Sequence, residues 1–440
     1  MTIVHLLAGA GGMYCGSCMQ GNTLAMALRE AGEDVLLVPV YTPIRTDDED
    51  ASIDRVVFGG INVYLQQHSA LFRHTPWFLD RLLDNPGLLR WLSRRGLSTR
   101  PEQLGPLTLS MLRGDEGRQA KEVDKLVRWL AREVRPELVH LSNVLLVGVA
   151  RRLARELSVP VVCSLSGEDT FLDGIPEPHY SEARAVLRER CGELSALVAM
   201  SRYYADFMAE YLAVPRERIH VIPPGLNLAG HGTRPGAEAP AGLEPSQEKP
   251  VTIGYLSRIA PEKGLHQLAE AFKLLDDQEG LPPTRLLAAG YLDAADRPYL
   301  DRIRSQLADW GLADRFEYAG EPDRTGKISF LQSLDVMSVP TMQAESKGLA
   351  VLEAWANAVP LVLPDHGAFR ELIEDTSGGL LHEPHRPPAL AAALRRMILD
   401  RAFARECGLR AQEAVRDRYH APLSARRTME LYRTLAARAE

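Results

Sequence analysis

Short apolar runs alternate with amphipathic stretches along most of this chain. Residues 3–7, 35–40, 138–141, 159–165 and 194–201 are apolar enough to be covered on both faces, as strands of a parallel sheet are. The stretches between them carry helical spacing. Residues 22–31 put Leu24 and Leu28 on one face and stop at Gly32, and a helix running through Trp129, then 147–156 and 202–212, follow the same pattern. The rhythm resumes with runs at 251–256, 285–289, 316–320 and 334–340. After Leu390 only helical patterns remain, the last over about 424–437. Such alternation predicts parallel sheets with helices packed on them, an α/β architecture.

Two stretches break the rhythm. Residues 42–119 do not alternate cleanly, and set Phe72, Trp77, Phe78 and Trp91 among Arg73, Arg90, Arg94 and Arg95. They predict a mainly helical insertion that packs over the first sheet, forms a lip for a second substrate, or touches lipid through its basic aromatic helices. Residues 228–249 are rich in Gly, Pro and Ala and read as a linker. A chain of 440 residues is expected to hold two or three domains, and this linker divides it near the middle.

Composition narrows the function. Apolar residues are 45% and charged residues 25% of the chain, an ordinary globular balance. A net charge of -7 argues against nucleic acid as a partner. No run is long and apolar enough to span a bilayer, and the start of the chain lacks the basic region of a signal peptide. The 5 scattered cysteines fit a reducing cytoplasm, and the Arg, Ala, Leu and Pro bias hints at a bacterial source.

Candidate chemistry concentrates in residues 338–381. A strand ending near Pro340 leads to a polar loop at 343–348, and Leu349, Leu352, Trp355 and Ala356 then recur at helical spacing until Pro360. Glu345 and Glu353 frame the loop-to-helix passage. If all of it were helical they would stand ~12 Å apart, about the span from the sugar to the ribose of a nucleotide diphosphate sugar. Lys347, Gly348 and Leu349 would present backbone N–H groups at a helix start, where phosphate is favoured.

The run Glu345-Ser-Lys-Gly-Leu-Ala-Val-Leu-Glu353, with Ala354 and the apolar-Pro-apolar step at 359–361, resembles the E-x(7)-E signature of glycosyltransferase family 4. The resemblance implies a GT-B fold: two doubly wound Rossmann-like domains facing across a cleft, here with the helical insertion in the first. It also implies a retaining glycosyltransferase that moves a sugar from a nucleotide diphosphate sugar to an acceptor, without a metal or other cofactor. Glu345 would contact the donor sugar and Glu353 the ribose hydroxyls. GYLSRIAPEKGL resembles the family's strand, loop and helix start that place Arg258 and Lys263 on the donor diphosphate. Gly11 and Gly12, in the first loop, would lie under the donor phosphates. Lys347 stands where the family usually has an aromatic residue, Ser166 where it usually has a histidine, and Glu33 where a histidine customarily follows the glycine. Beside Ser166, Glu168 and Asp169 would orient an acceptor hydroxyl or cap the next helix.

By the same resemblance the domains are expected at 1–227, with the insertion at 42–119, then the linker 228–249, a nucleotide-sugar-binding domain at 250–415, and a last helix at 416–440 that crosses back to the first. The protein is expected in the cytoplasm, or peripheral at the inner face of the membrane. The acceptor is open: a glycan, a glycolipid or a small molecule. Other readings stand beside this one. A dehydrogenase would need G-x-G-x-x-G and an acidic residue after the second strand, whereas Gly9 and Gly11 are followed by Tyr14, and Pro39 and Tyr41 end that strand. A nucleotide-sugar epimerase of this architecture would need acid-base carboxylates at the sugar. A non-catalytic sensor would bind the donor and turn nothing over. Cys15-Gly-Ser-Cys18 has the spacing of a redox pair or half of a zinc site with Cys163 and Cys191, but two packed thiols fit better without a thioredoxin-like context.

Overall fold

The computed structural model describes residues 1–10, 13–69, 101–232 and 250–438. They divide into two compact units, Met1–Gly225 with Ala421–Glu440, and Leu226–His420.

In the first unit six parallel strands lie in the order β2-β1-β3-β4-β5-β6. They are β1 Thr2–Ala8, β2 Asp34–Val40, β3 Leu138–Leu141, β4 Val161–Leu165, β5 Ala196–Ala199 and β6 Ile219–Val221. Successive strand side chains point to opposite faces, and both faces are covered, which is why the runs are continuously apolar. Val4 and Leu6 join one core cluster with Val139, Leu141 and Leu153. Ile3 and Leu7 join the other with Leu24, Leu28, Met429 and Tyr432. That second face is built by the helices Gly16–Glu30 and Ala421–Ala436, which pack on each other.

The second unit repeats the plan in the order β12-β11-β10-β7-β8-β9, again all parallel. Its strands are β7 Val251–Leu256, β8 Thr284–Ala289, β9 Phe316–Tyr318, β10 Val336–Ser338, β11 Leu361–Pro364 and β12 Gly379–His382. One core joins Tyr255, Phe272, Trp355 and Phe369.

Several elements depart from their expected bounds. The helix expected over 22–31 starts at Gly16, because Cys18, Gln20 and Gly21 are buried although the run is not apolar. The helix expected over 147–156 is a 3-10 turn, Val144–Val149, leading into the helix Ala150–Leu157. The Asn143 carboxamide accepts from Leu145 N at 3.1 Å and starts the tighter turn. The insertion begins without helix. Ser52 and Val57 bridge to β2 in parallel before the helix Gly60–His68, and a further helix spans Pro101–Arg113. The aromatic and basic residues proposed as a lip or lipid contact lie outside the described residues. Among the described residues no helix is long and apolar enough to cross a membrane.

Candidate active site

In the second unit the winding reverses between the neighbouring strands β7 and β10. The connections leave toward opposite faces and open a crevice at the carboxyl ends of these strands, where doubly wound sheets bind ligands. The segment after β7 carries Arg258 and Lys263, and the segment after β10 carries Glu345.

Two glycines let these segments, and the loop after β11, close on one another. Gly264 has φ of +77°, and a Cβ there would stand 1.8 Å from the carbonyl oxygen of Pro340. Gly367 has φ of +60°, and its Cβ would lie 2.5 Å from Glu345 N. Only glycine allows both the left-handed backbone and the approach. Backbone bonds then tie them: Met342 N donates to Glu262 O, joining the segments after β7 and β10, and Ala368 N, beyond β11, donates to Glu345 O, each at 2.8 Å.

Lys263, 82 residues from Glu345 in sequence, places its Nζ 2.9 Å from Glu345 Oε2, while Ser346 N donates to Oε1 at 3.2 Å. Burial raises the Glu345 carboxyl. The charge and hydrogen bond of Lys263, with help from Lys347, outweigh that and hold it at about 2. Arg258 is paired with Glu262. Both cations therefore reach the crevice already partnered by carboxylates, and an anionic ligand would have to take them over.

Helix Leu349–Ala356 begins beside this cluster, with Gly348 before it in the left-handed conformation. Val351 and Leu352 N–H groups donate to Gly348 O at 3.1 Å. Lys347 is half-buried just outside the helix, and Leu349 is its first residue. Residues 345–348 are not helical, so the ~12 Å all-helical separation of the two glutamates does not apply. Glu353 lies on the buried face of the helix, and its Oε1 is 2.5 Å from Lys327 Nζ.

The remaining candidates sit in the first unit. Ser166 follows β4, and Glu168 and Asp169 open the helix Glu168–Asp173. Glu168 is buried and accepts from Ser166 N at 2.7 Å and Ser166 Oγ at 3.2 Å. The Tyr204 hydroxyl is 2.6 Å from Asp169 Oδ1. Burial raises the Asp169 carboxyl against the lowering effect of that bond. The same sheet's switch point, between β1 and β3, holds a cavity of about 30 Å³ lined by His5, His140, Ser142, Ser164 and Ser166. His140 Nδ1 lies 2.5 Å from Tyr432 Oη and its Nε2 is 2.8 Å from Ser164 Oγ. Burial holds His140 well below the usual imidazole range. Gly11 and Gly12 lie outside the described residues.

Cys15 and Cys18 are not joined in a disulfide, and Cys18 donates to Ala8 O at 3.3 Å. Cys163 and Cys191 are buried in the first unit's core, and burial pushes both thiols up, Cys191 to about 12. Among the described residues no cluster of three or more His, Cys, Asp or Glu side chains is arranged to hold a metal.

Comparison with known proteins matches residues 243–414 to the glycosyl transferases group 1 model and residues 22–229 to the glycosyltransferase family 4 model. The chain belongs to glycosyltransferase family 4. A D-inositol 3-phosphate glycosyltransferase of Nocardia farcinica is 28% identical over 316 residues, 71% of this chain and 66% of that relative. The chain thus matches about two thirds of that relative's length. Among solved structures, sucrose-phosphate synthase from Thermosynechococcus elongatus superposes over 100% of both chains, with a TM-score of 0.71 at 18% identity. HepE of Anabaena, in complex with UDP, covers 99% of this chain and 100% of its own, with a TM-score of 0.68 at 18% identity. The fold of this family 4 member is GT-B.

Three contacts of the candidate residues were not among the sequence-based expectations: Glu262, Lys327 and Tyr204. Glu262, which pairs with Arg258, stands beside Lys263 in the same short run. Lys327 left a usable signal, since it falls on one helical face with Phe330 and Leu331, the buried face of Arg324–Gln332. Tyr204 shares a buried helical face with Met208 and Tyr211, but nothing in that spacing points to Asp169.

Proposed function

We propose that this chain transfers a glycosyl group from a nucleotide diphosphate sugar to an acceptor hydroxyl, with retention of anomeric configuration. The reading is carried by the meeting of Lys263 and Glu345 at the switch-point crevice, with Arg258 on the same segment and a helix start alongside. In the reaction the bond between the anomeric carbon and the diphosphate oxygen breaks. The acceptor oxygen forms its bond on the same face, and its proton passes to the departing phosphate oxygen. Arg258 forks two phosphate oxygens and Lys263 acts as a compact charge, stabilising the leaving diphosphate as its charge develops. The Lys347–Leu349 backbone at the helix start completes the phosphate cradle. This charge set supplies what a metal ion would otherwise bring.

When Lys263 turns to phosphate, Glu345 is released to accept from a hydroxyl of the transferred sugar. Glu353 accepts from the ribose. On the acceptor side Ser166, Glu168 and Asp169 orient the incoming hydroxyl. The family assignment and the UDP bound by HepE support a nucleoside diphosphate as the leaving group. A thermal-shift panel of uridine, guanosine and adenosine diphosphates and their sugars tests this, because a ligand at ~100 times its Kd stabilises the native state by about 2.7 kcal/mol. At least one should raise the melting temperature. A protein that none of them stabilises would refute the reading.

A further inference from the structure

Glu353 and Lys327 form the most enclosed ion pair around the candidate site. Each side chain is only 9% exposed, and Lys327 Nζ lies 2.5 Å from Glu353 Oε1. The two residues come from separate helices that flank β10, Arg324–Gln332 before it and Leu349–Ala356 after it. The first helix is anchored where it begins. The Asp323 carboxylate accepts from Gly326 N at 2.8 Å, and Lys327 N donates to Asp323 O at 2.7 Å. The ammonium is thus delivered from a fixed backbone, and of the Glu353 carboxylate it engages Oε1.

A buried ion pair is a poor stabiliser compared with apolar side chains of similar size, since desolvation consumes most of the attraction. Its presence is better explained by a need for the carboxylate itself. A carboxylate kept in an enclosed site to accept hydroxyl groups must have its charge offset, and the partner must leave one oxygen available. Lys327 meets both conditions: it takes Oε1 and leaves Oε2.

We propose that Lys327 is a positioning residue that fixes Glu353 with Oε2 presented to the ribose, and so sets the preference for ribonucleotide over 2′-deoxyribonucleotide donors. This rests on the reading of Glu353 as the ribose ligand. Losing the lysine frees the carboxylate to rotate and removes the offsetting charge. The hydroxyl it would have bound then adds little.

The test is calorimetric titration of the full chain with uridine, guanosine and adenosine diphosphates and with the 2′-deoxy form of each. Wild type should bind one ribonucleotide about tenfold or more tighter than its 2′-deoxy form, the worth of one hydrogen bond to a charged group. Lys327→Met should reduce that ratio to below about threefold, and Lys327→Arg should keep most of it. The ratio is taken on one folded sample, so a general loss of stability in Lys327→Met does not move it. A discriminating wild type with an unchanged ratio in Lys327→Met overturns the proposal and leaves the transfer reading standing. A wild type that binds a diphosphate with no preference for ribose removes the role of Glu353. Failure of the wild type to bind any of the three overturns both readings.

Discussion

Replacing Lys263 by methionine removes an ammonium while keeping most of the side chain's length, so the loss is mainly one of charge. In the wild type burial favours the neutral Glu345 carboxyl. The Lys263 charge and hydrogen bond, with Lys347 and the Ser346 N–H, reverse this and bring it from 4.5 to about 2. At about 1.4 kcal/mol per tenfold, that difference is about 3 kcal/mol of native stability at neutral pH. Lys347 and the Ser346 N–H remain in the variant, but so does the burial that Lys263 offsets, so the expected loss stays at about 3 kcal/mol. The sign follows from the direction of the shift. A carboxyl held below its unfolded value stabilises the fold fully above that value, and the benefit is lost as pH falls through the folded one. Urea unfolding of both proteins at pH about 7, 5, 3.5 and 2.5 should show the full gap at the two higher values. The gap should shrink between pH about 4.5 and 2 as Glu345 takes up its proton. A gap under about 0.5 kcal/mol at neutral pH, or one unchanged down to pH about 2.5, would refute the argument.

Arg258→Ala should cost ~2–4 kcal/mol of transition-state stabilisation, read as kcat/KM on an identified donor, and an unchanged value would remove it from the diphosphate site. Glu345→Ala should chiefly lower kcat and Glu353→Ala chiefly weaken nucleotide binding, because ribose contacts are alike in ground and transition states. The opposite pattern would mean that the sugar and ribose ends are exchanged. The double variant Cys15→Ser, Cys18→Ser should transfer sugar at nearly the wild-type rate, with no response to reductant. Loss of activity together with stoichiometric zinc in the wild type would make the loop a metal site instead.

The parts of the fold that rest on local pattern were legible in the sequence. Residues 202–212 form the helix Arg202–Leu212 with the expected bounds, since Ser201 caps it by accepting from Tyr204 N. β7 likewise spans the expected residues. Strands β6 and β12 lack that local pattern. β6 is short with an exposed His220, and β12 is an edge strand with three half-buried positions, so neither shows a continuous apolar run. Contacts between distant residues were beyond reach. Glu345 meets Lys263 from 82 residues away, and His140 meets Tyr432 across 292. Each depends on strand order and on the return of the last helix, which spacing within a segment does not encode. The E-x(7)-E run begins just after β10, at the switch point of the second sheet. It could not show that Lys263 arrives with a carboxylate partner, because that follows from the close approach of Gly264 to Pro340.

Hydrogen exchange of the full chain, with and without the nucleoside diphosphate that raises its melting temperature, tests the central claim most directly. The Leu349 and Ala350 N–H groups precede the first bonds of the helix, which Val351 and Leu352 make to Gly348 O, and should exchange quickly in the free protein. Phosphate bound at the switch point of the second sheet should slow exchange over residues 257–265 and 344–352 together. Protection confined to the first unit, or absent from both of these segments while the ligand is bound, would contradict the account.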